Sequence, residues 1–339
     1  MKIVIAPDSY KECLSAAQVA DAMAQASTEL FPEAEVVTLP LADGGEGTLD
    51  ALAANLPITI ETTPVHAPLG RPIDAKWGLW DQTAIIEVAQ ACGLQLLQPQ
   101  ERNPLIASSR GAGELIMAAY EKGCRHFIVG LGGTATCDGG MGILSVPGIK
   151  EVLADCSMEL LCDVNAPFVG PHGAARIFAP QKGATQEEVE ILESRMVAWA
   201  KKILHETGFS VAEMPGAGAA GGIAGALISY AQASLVNGAK RIMDLCGFDK
   251  TVQGASLVIT GEGKSDTQTL MGKVPVAVLC QSHGTPTALV SGRIEDRSNL
   301  EQAGFQPIVE VSPRNLPIAQ VLHPQTALRN LRLAILQLR

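Results

Sequence analysis

Lys2-Ile3-Val4-Ile5-Ala6-Pro7-Asp8-Ser9-Tyr10-Lys11 is a short apolar run that ends on proline and then on polar residues. A run of this length, closed by Pro-Asp-Ser, reads as a buried strand emptying into a loop. Ser15 then stands as an N-cap before helical apolar spacing that reaches Leu30. Glu35 to Leu39 repeats the strand, Ala42-Asp43-Gly44-Gly45-Glu46-Gly47 repeats the polar loop, and a helix follows from about Thr48 to Asn55. The same order returns late in the chain. Ser256 to Thr260 runs into Gly261-Glu262-Gly263-Lys264-Ser265-Asp266, followed by a helical stretch from Gln268 to Ser282. Thr287–Val290 and Pro307–Val311 read as further strands, and Gln325–Leu338 as a final amphipathic helix. Strands alternating with helices predict an α/β fold with a parallel sheet and right-handed crossovers.

The middle of the chain reads differently. His66-Ala-Pro-Leu-Gly70-Arg-Pro72 is a turn between two extended pieces, and Thr83–Val88 adds another strand, which predicts an antiparallel meander. A helix at Gly111–Glu121, a strand at Phe127–Gly130 and a helix at Gln186–His205 follow. The opening strand-helix units have too few strands to stand alone, so the C-terminal strands must complete their sheet. The expected organisation is one discontinuous domain, residues 1–60 plus 251–339, split by an inserted α/β domain over residues 61–250.

Composition narrows the function. The 339 residues are 47% hydrophobic but only 4% aromatic, which suits helices packed on a sheet. A formal charge of −10 leaves no basic field for a phosphate backbone, so no nucleic-acid partner is expected. The eight cysteines form no C-x-x-C pair and read as reduced, buried thiols of a cytoplasmic protein. The apolar run Ile3–Ala6 is too short for a signal peptide. Met214 to Ala239 carries no charge, yet six glycines, Pro215, Gln232 and Asn237 make it a buried helix of a non-membrane protein. Homo-oligomerisation is left open.

Loops after parallel strands converge on one sheet edge, where ligands bind. Here they carry Asp8, Ser9 and Lys11, then Asp43 and Glu46, then Glu262, Lys264 and Asp266. Carboxylates beside glycines suit a metal ion or a proton acceptor. The inserted domain has its own loop, Gly130-Leu-Gly132-Gly133-Thr134-Ala135-Thr136-Cys137-Asp138-Gly139-Gly140, with the small residues, hydroxyls and acid of a phosphate cradle near Mg²⁺. Cys162-Asp163-Val164-Asn165 supplies another strand-end carboxylate, and Gln181-Lys182-Gly183 a phosphate cation. Each motif alone reads first as a turn, since Asp and Gly are what turns demand. Gly216-Ala-Gly218-Ala-Ala-Gly221 matches G-x-G-x-x-G but lacks the preceding strand and the later acid of a dinucleotide site. P-loop, zinc-type His spacing and G-x-S-x-G signatures are absent from the sequence.

Taken in order, Ala6-Pro7-Asp8-Ser9-Tyr10-Lys11, Ala42-Asp43-Gly44-Gly45-Glu46-Gly47, Gly132-Gly133-Thr134-Ala135-Thr136, Cys162-Asp163-Val164, Pro180-Gln181-Lys182-Gly183-Ala184, Pro215–Gly222 and Thr260-Gly261-Glu262-Gly263 resemble the signature blocks of bacterial glycerate kinases. The resemblance spans nearly the whole chain. It implies a flavodoxin-like (Rossmann-type) domain split by an inserted domain, and ATP-dependent, Mg²⁺-assisted phosphorylation of D-glycerate to 2-phosphoglycerate and ADP. Tyr10, Glu12 and Cys137 depart from the usual residues. The stretch from Leu144 to Ser157 is also much shorter than the resemblance implies, which points to a polar excursion missing between Leu144 and Gly148; continuous peptide geometry there would show a true shortening.

Phosphoryl transfer needs in-line positioning, cations, a metal and a proton acceptor. On this reading Gly132, Gly133, Thr134, Ala135 and Lys182 hold the ATP phosphates, while Ser9, Lys11, Asp43 and Arg293 serve glycerate. Asp8, Asp163, Asp266 and Asp138 are the base and Mg²⁺ candidates: Asp8, Lys11, Asp163 and Asp266 for catalysis, Asp138 and Asp163 for the metal. Lys273 reads equally as a ligand or as a solvated helix lysine. The alternative is a non-catalytic two-domain sugar-acid sensor, although a pure anion binder would avoid so many carboxylates.

Overall fold

Ile3, Val4 and Ile5 are wholly buried, as a strand covered on both faces of a parallel sheet must be. In chain order the strands are β1 (Lys2–Ile5), β2 (Glu35–Thr38), β3 (Thr59–His66), β4 (Pro72–Trp80), β5 (Thr83–Glu87), β6 (His126–Gly130), β7 (Ser157–Leu161), β8 (Ser234–Val236), β9 (Leu257–Thr260), β10 (Lys264–Ser265), β11 (Thr287–Ser291), β12 (Arg293–Ile294) and β13 (Ile308–Glu310). The computed structural model describes residues 1–338. Its chain forms two units. One comprises Met1–Asp43, Asp50–Leu56 and the chain from Ala239 onward; the other comprises Gly44–Leu49 and Pro57–Gly238.

The first unit holds a five-stranded sheet in the order β13-β11-β9-β1-β2, every pair parallel. Numbered within that sheet, the order is the doubly wound 2-1-3-4-5 of the flavodoxin-like class, interrupted between its second and third strands. Helix Ala16–Leu30 begins at Ser15, whose side chain accepts from Gln18 N while Gln18 caps Ser15 in return. Its Val19, Ala20 and Met23 cover one sheet face together with Leu331, Ala334 and Ile335 of helix Pro324–Ile335. Leu300, Phe305 and Ile308 join Leu289 and Ile294 in a separate cluster.

The second unit is a six-stranded mixed sheet, β3-β4-β5-β6-β7-β8. β3, β4 and β5 form the expected antiparallel meander, and β5 to β8 run parallel. Trp77, Phe127 and Leu115 are buried in its main core; Phe168, Met196 and Trp199 center a satellite under helix Gln186–Thr207.

Local expectations change in four places. Residues 268–282 are not one helix: a 3₁₀ turn, Thr267–Met271, stops at Gly272 (φ 107°) and helix Val274–Gln281 starts afresh. Pro275 has no N–H to continue a helix, and only glycine takes that φ without strain. The uncharged stretch after Met214 gives only helix Ile223–Ala231, because Ala220, Gly221 and Gly222 adopt left-handed backbone before it. No helix among the described residues is long and apolar enough to cross a membrane. Cys92, Cys124 and Cys137 are buried, but Cys280 is exposed and the other four are half-buried, so burial describes three of eight thiols. Finally, helices Met141–Leu144 and Ile149–Ala154 are joined through hydrogen bonds from Ser145, Val146 and Ile149 N–H to preceding carbonyls. The shortened connection is thus a compact hydrogen-bonded turn between the two helices.

The seam between β1, β9 and β11 admits no side chain at Gly261, where a Cβ would collide with the Val290 carbonyl oxygen. Gly261→Ala is expected to lower stability by about 1–3 kcal/mol, read as the midpoint shift in urea unfolding; an unchanged midpoint would show that the seam yields.

Candidate active site

In the first unit the strand order reverses between β1 and β9, which leaves a crevice beyond their carboxyl ends. Asp8 N donates to Gly261 O at 2.9 Å, and Thr260 Oγ1 donates to Ala6 O at 2.8 Å, so both loops depart in fixed register. With the turns after β11 and β13 they wall a cavity of about 450 Å³. Its polar lining includes Asp8, Ser9, Lys11, Glu262, Lys273 and Arg293; Val311, Ile318, Val321 and Leu322 are its aliphatic lining.

Asp8 is only 4% exposed. Burial, and after it the negative charge of Asp43, push its carboxyl up to about 8, against the opposing pull of Lys11 and of Ser9 N–H, which donates to Oδ1 at 2.6 Å. A carboxyl poised near neutrality suits a general base for a hydroxyl proton. Tyr10, one of the departures from the usual residues, is a buried brace whose hydroxyl donates to Val290 O at 2.8 Å. Lys11 Nζ stands 3.9 Å from Asp43 Oδ2 on a side chain that is 63% exposed, so the ion pair holds it weakly. Arg293 Nη1 donates to Glu310 Oε1 at 2.9 Å, and Arg314 grips the other oxygen of the same carboxylate at 2.9 Å.

Asp266 has a different task. Its Oδ1 accepts from Gln268 N at 2.9 Å and caps the Thr267–Met271 turn, with Lys264 Nζ at 3.3 Å. Although burial raises its pKa, the Gln268 and Lys264 hydrogen bonds prevail and hold it below its ordinary value. Glu262, named in the sequence as a loop carboxylate but given no role, is 6% exposed and accepts from Ser265 and Thr269 hydroxyls. The signal for it was its place in Gly-Glu-Gly directly after a strand, and for Lys273 the Gly272 that ends the preceding turn.

The remaining candidates belong to the second unit. Asp163 Oδ1 accepts from Asn237 Nδ2 at 2.8 Å and Gly238 N at 3.1 Å. Asp138 Oδ2 accepts from Ser109 N and Oγ, both at 2.9 Å, and from Gly142 N at 3.0 Å, while Oδ1 accepts from Gly140 N at 3.0 Å. Both oxygens are committed to holding this loop. Lys182 is buried, with Nζ donating to Thr134 Oγ1 at 3.0 Å and Thr136 O at 2.6 Å. Ala135 N donates to Cys92 O and Gly132 N to Gly44 O, which leaves Gly133 as the exposed residue of the glycine pair.

Among the described residues no group of three or more His, Cys, Asp or Glu is arranged to hold a metal ion. Magnesium asks for less, one or two carboxylates plus phosphate oxygens and waters. Asp43, a partly exposed carboxylate with Oδ2 3.9 Å from Lys11 Nζ, fits that donor chemistry; the fully bonded Asp138 does not.

The sequence matches the model of the glycerate kinase family over residues 3–150 and 145–338, two segments that meet at the shortened connection. It is 38% identical over 344 residues to glycerate 2-kinase of Escherichia coli (strain K12), covering 92% of this chain and 90% of that protein. It is also 38% identical over 351 residues to glycerate kinase of Bacillus subtilis (strain 168), covering 94% and 92%. A crystal structure assigned as glycerate kinase 2 of Salmonella typhimurium LT2 superimposes with a TM-score of 0.83 at 34% identity, covering 99% of this chain and 96% of that one. Fold and relatives define a two-unit α/β transferase. The chain belongs to the glycerate kinase family and is an enzyme.

Because the Asp8 carboxyl is raised above its ordinary 3.8 in the folded state, the stability it contributes is present at low pH and lost as pH rises through about 8. The wild-type melting temperature is therefore expected to fall more steeply than that of Asp8→Asn between about pH 4 and about pH 8 and to run parallel to it above that, a difference of a few degrees in calorimetry. Parallel curves would remove the buried-acid assignment.

Proposed function

We propose that this enzyme transfers the γ-phosphoryl group of ATP to the 2-hydroxyl of D-glycerate, giving 2-phosphoglycerate and ADP. The observation that carries the reading is one cavity that joins a buried carboxyl raised to about 8 to the cations Lys11 and Arg293. A hydroxy acid needs cations for its carboxylate, and its hydroxyl needs a proton acceptor. The Escherichia coli and Bacillus subtilis relatives, named as glycerate kinases, support the same acceptor.

In the reaction the 2-hydroxyl oxygen forms its bond to the γ-phosphorus as the bond from that phosphorus to the β,γ-bridging oxygen breaks. Asp8 takes the hydroxyl proton and ADP carries away the electron pair of the broken bond. Lys11 and Arg293 hold the acceptor carboxylate, Ser9 bonds a hydroxyl, and Asp43 keeps Asp8 basic. Little covalent help is needed, so positioning and charge carry the rate. Mg²⁺ would be held by Asp43 together with phosphate oxygens and waters, and would supply neutralisation of phosphate charge. In the second unit we assign the nucleotide phosphates to the exposed Gly133 edge of the Gly132–Ala135 loop, which Lys182 braces through Thr134. Asp163 and Asp266 act in this reading as loop-fixing carboxylates. A sensor without turnover is not favoured by the named relatives. The free thiols support a reducing, cytoplasmic setting, and the acidic chain a small-molecule partner.

Incubation with ATP, Mg²⁺ and D-glycerate is expected to release ADP and to give a 2-phosphate in ³¹P NMR, and EDTA is expected to stop turnover. A 3-phosphate would overturn the regiochemistry, and no phosphorylated acid the reading itself. Lys11→Ala is expected to cut kcat/KM by about 100-fold, whereas Lys201→Ala, on the exposed face of helix Gln186–Thr207, leaves it within about twofold. Equal effects of the two substitutions would sink the Lys11 assignment.

A further inference from the structure

Every cation around the cavity has a carboxylate nearby, but the pairs differ in how tightly they bind. Arg293 is hydrogen-bonded to Glu310 at 2.9 Å, and Lys264 reaches Glu295 at 2.9 Å. Lys273 lines the cavity, and its Nζ stands 3.7 Å from Glu262 Oε2. That separation is beyond a charge-assisted hydrogen bond, so Glu262 attracts the ammonium without taking its protons.

Glu262 is fixed before Lys273 arrives. Its Oε1 accepts from Thr269 Oγ1 at 2.5 Å and from Ser265 Oγ at 3.1 Å, and Ser291 Oγ accepts from Glu262 N at 3.2 Å. Thr269 Oγ1 also accepts from Asp266 N at 3.0 Å. One carboxylate thereby fastens the turn Thr267–Met271, and that turn ends at Gly272, directly before Lys273. The backbone reversal at Gly272 and the restart at Val274 then put Lys273 outside both helical segments, with its side chain 31% exposed. A solvated helix lysine would have neither this buried carboxylate beside it nor this wall to line.

We propose that Lys273 is a third carboxylate-gripping cation for the hydroxy-acid acceptor, beside Lys11 and Arg293, and that Glu262 is a positioning residue that aims it into the cavity. The proposal rests on the reading of this cavity as the acceptor site. A lysine fits the task because its ammonium is a point charge with three rotatable donors, one or two of which can turn to a ligand while the Glu262 field keeps the stem in place. The acceptor is favoured over an ATP phosphate because the same cavity is lined by Asp8, the group that must face the acceptor hydroxyl, and by Lys11 and Arg293, the cations already assigned to its carboxylate.

The test compares wild type with Lys273→Met, Lys273→Arg and Glu262→Gln in steady-state ADP release, varying D-glycerate and ATP separately. Lys273→Met is expected to raise KM for D-glycerate by about 10- to 100-fold, with KM for ATP within about twofold of wild type. Lys273→Arg should recover most of that loss, because it keeps the charge. Glu262→Gln keeps acceptors for Ser265 and Thr269 but loses the field on Lys273, so it should raise KM for glycerate by about three- to tenfold without a comparable fall in kcat. A rise in KM for ATP in place of glycerate would assign Lys273 to the nucleotide and overturn the proposal. So would an unchanged KM for glycerate in Lys273→Met, or an equal loss in Met and Arg variants that tracks a fall in melting temperature. Titration calorimetry of D-glycerate into the nucleotide-free wild-type and Lys273→Met proteins reads the same contrast as binding. A wild-type protein that binds glycerate but does not phosphorylate it would refute the reading of function and leave the Lys273 proposal standing on its own result.

Discussion

The seam where β1 meets β9 is the constraint on which the first unit depends. Parallel strands buried on both faces leave no room for polar atoms along their length, so polar groups can appear only where the strands end. At this seam Asp8 N is bonded to Gly261 O, and Gly261 is pressed against Val290 O with no space for a Cβ. The loops carrying Asp8 and Glu262 therefore leave the sheet side by side. Both carboxylates are buried where the two loops leave the sheet.

Gathering acids at a sheet edge costs free energy unless something offsets it. Asp8 responds by holding its proton, which lets a buried carboxyl exist without a tight counter-ion at 4% exposure. Glu262 responds with hydroxyl donors from Ser265 and Thr269, and its pKa is also raised, by burial against the pull of those bonds and Lys273. The two strategies have different consequences. A carboxyl that keeps its proton can release it within the working range of pH and accept one back, so it suits proton transfer. A carboxylate held by hydroxyls is rigid, so it suits the orientation of a neighbour.

The parallel sheet of the first unit was legible in the sequence because its strands are short apolar runs closed by Pro, Gly and Asp, and this pattern does not depend on distant contacts. β1, β2, β9, β11 and β13 fall within a residue or two of where hydrophobicity placed them. The break at Gly272 was hidden because residues 268–282 keep an apolar pattern through it, and one proline outweighed that pattern. The loop Gly132–Gly140 shows a different limit. Its glycines, threonines and aspartate are the residue types of a phosphate cradle, but residue type does not reveal what else competes for each donor. Here Cys92 O, Gly44 O and Gly221 O take amides, and Ser109, Gly140 and Gly142 take Asp138. Lys182 has the charge of a phosphate cation, and in this structure its ammonium is buried and donates to Thr134 Oγ1 and Thr136 O.

The second α/β unit is carried between two strands that are both neighbours of β1 and not of each other. The interruption lies between the second and third strands of the sheet, after β2 at one edge, and the chain returns as β9 on the other side of β1. β1 thus pairs with β2 across a short crossover and with β9 across more than two hundred residues. Local pairing can form β1–β2 early, whereas the β1–β9 seam must wait until the whole insertion has been spanned, at a loop-closure cost that grows only slowly with length. The residues that complete the polar cavity, Glu262, Lys273 and Arg293, all lie on the returning chain. Assembly of the cavity and closure of the sheet are consequently one event, so a change that loosens the seam must move the charges of the site as well as the stability of the fold.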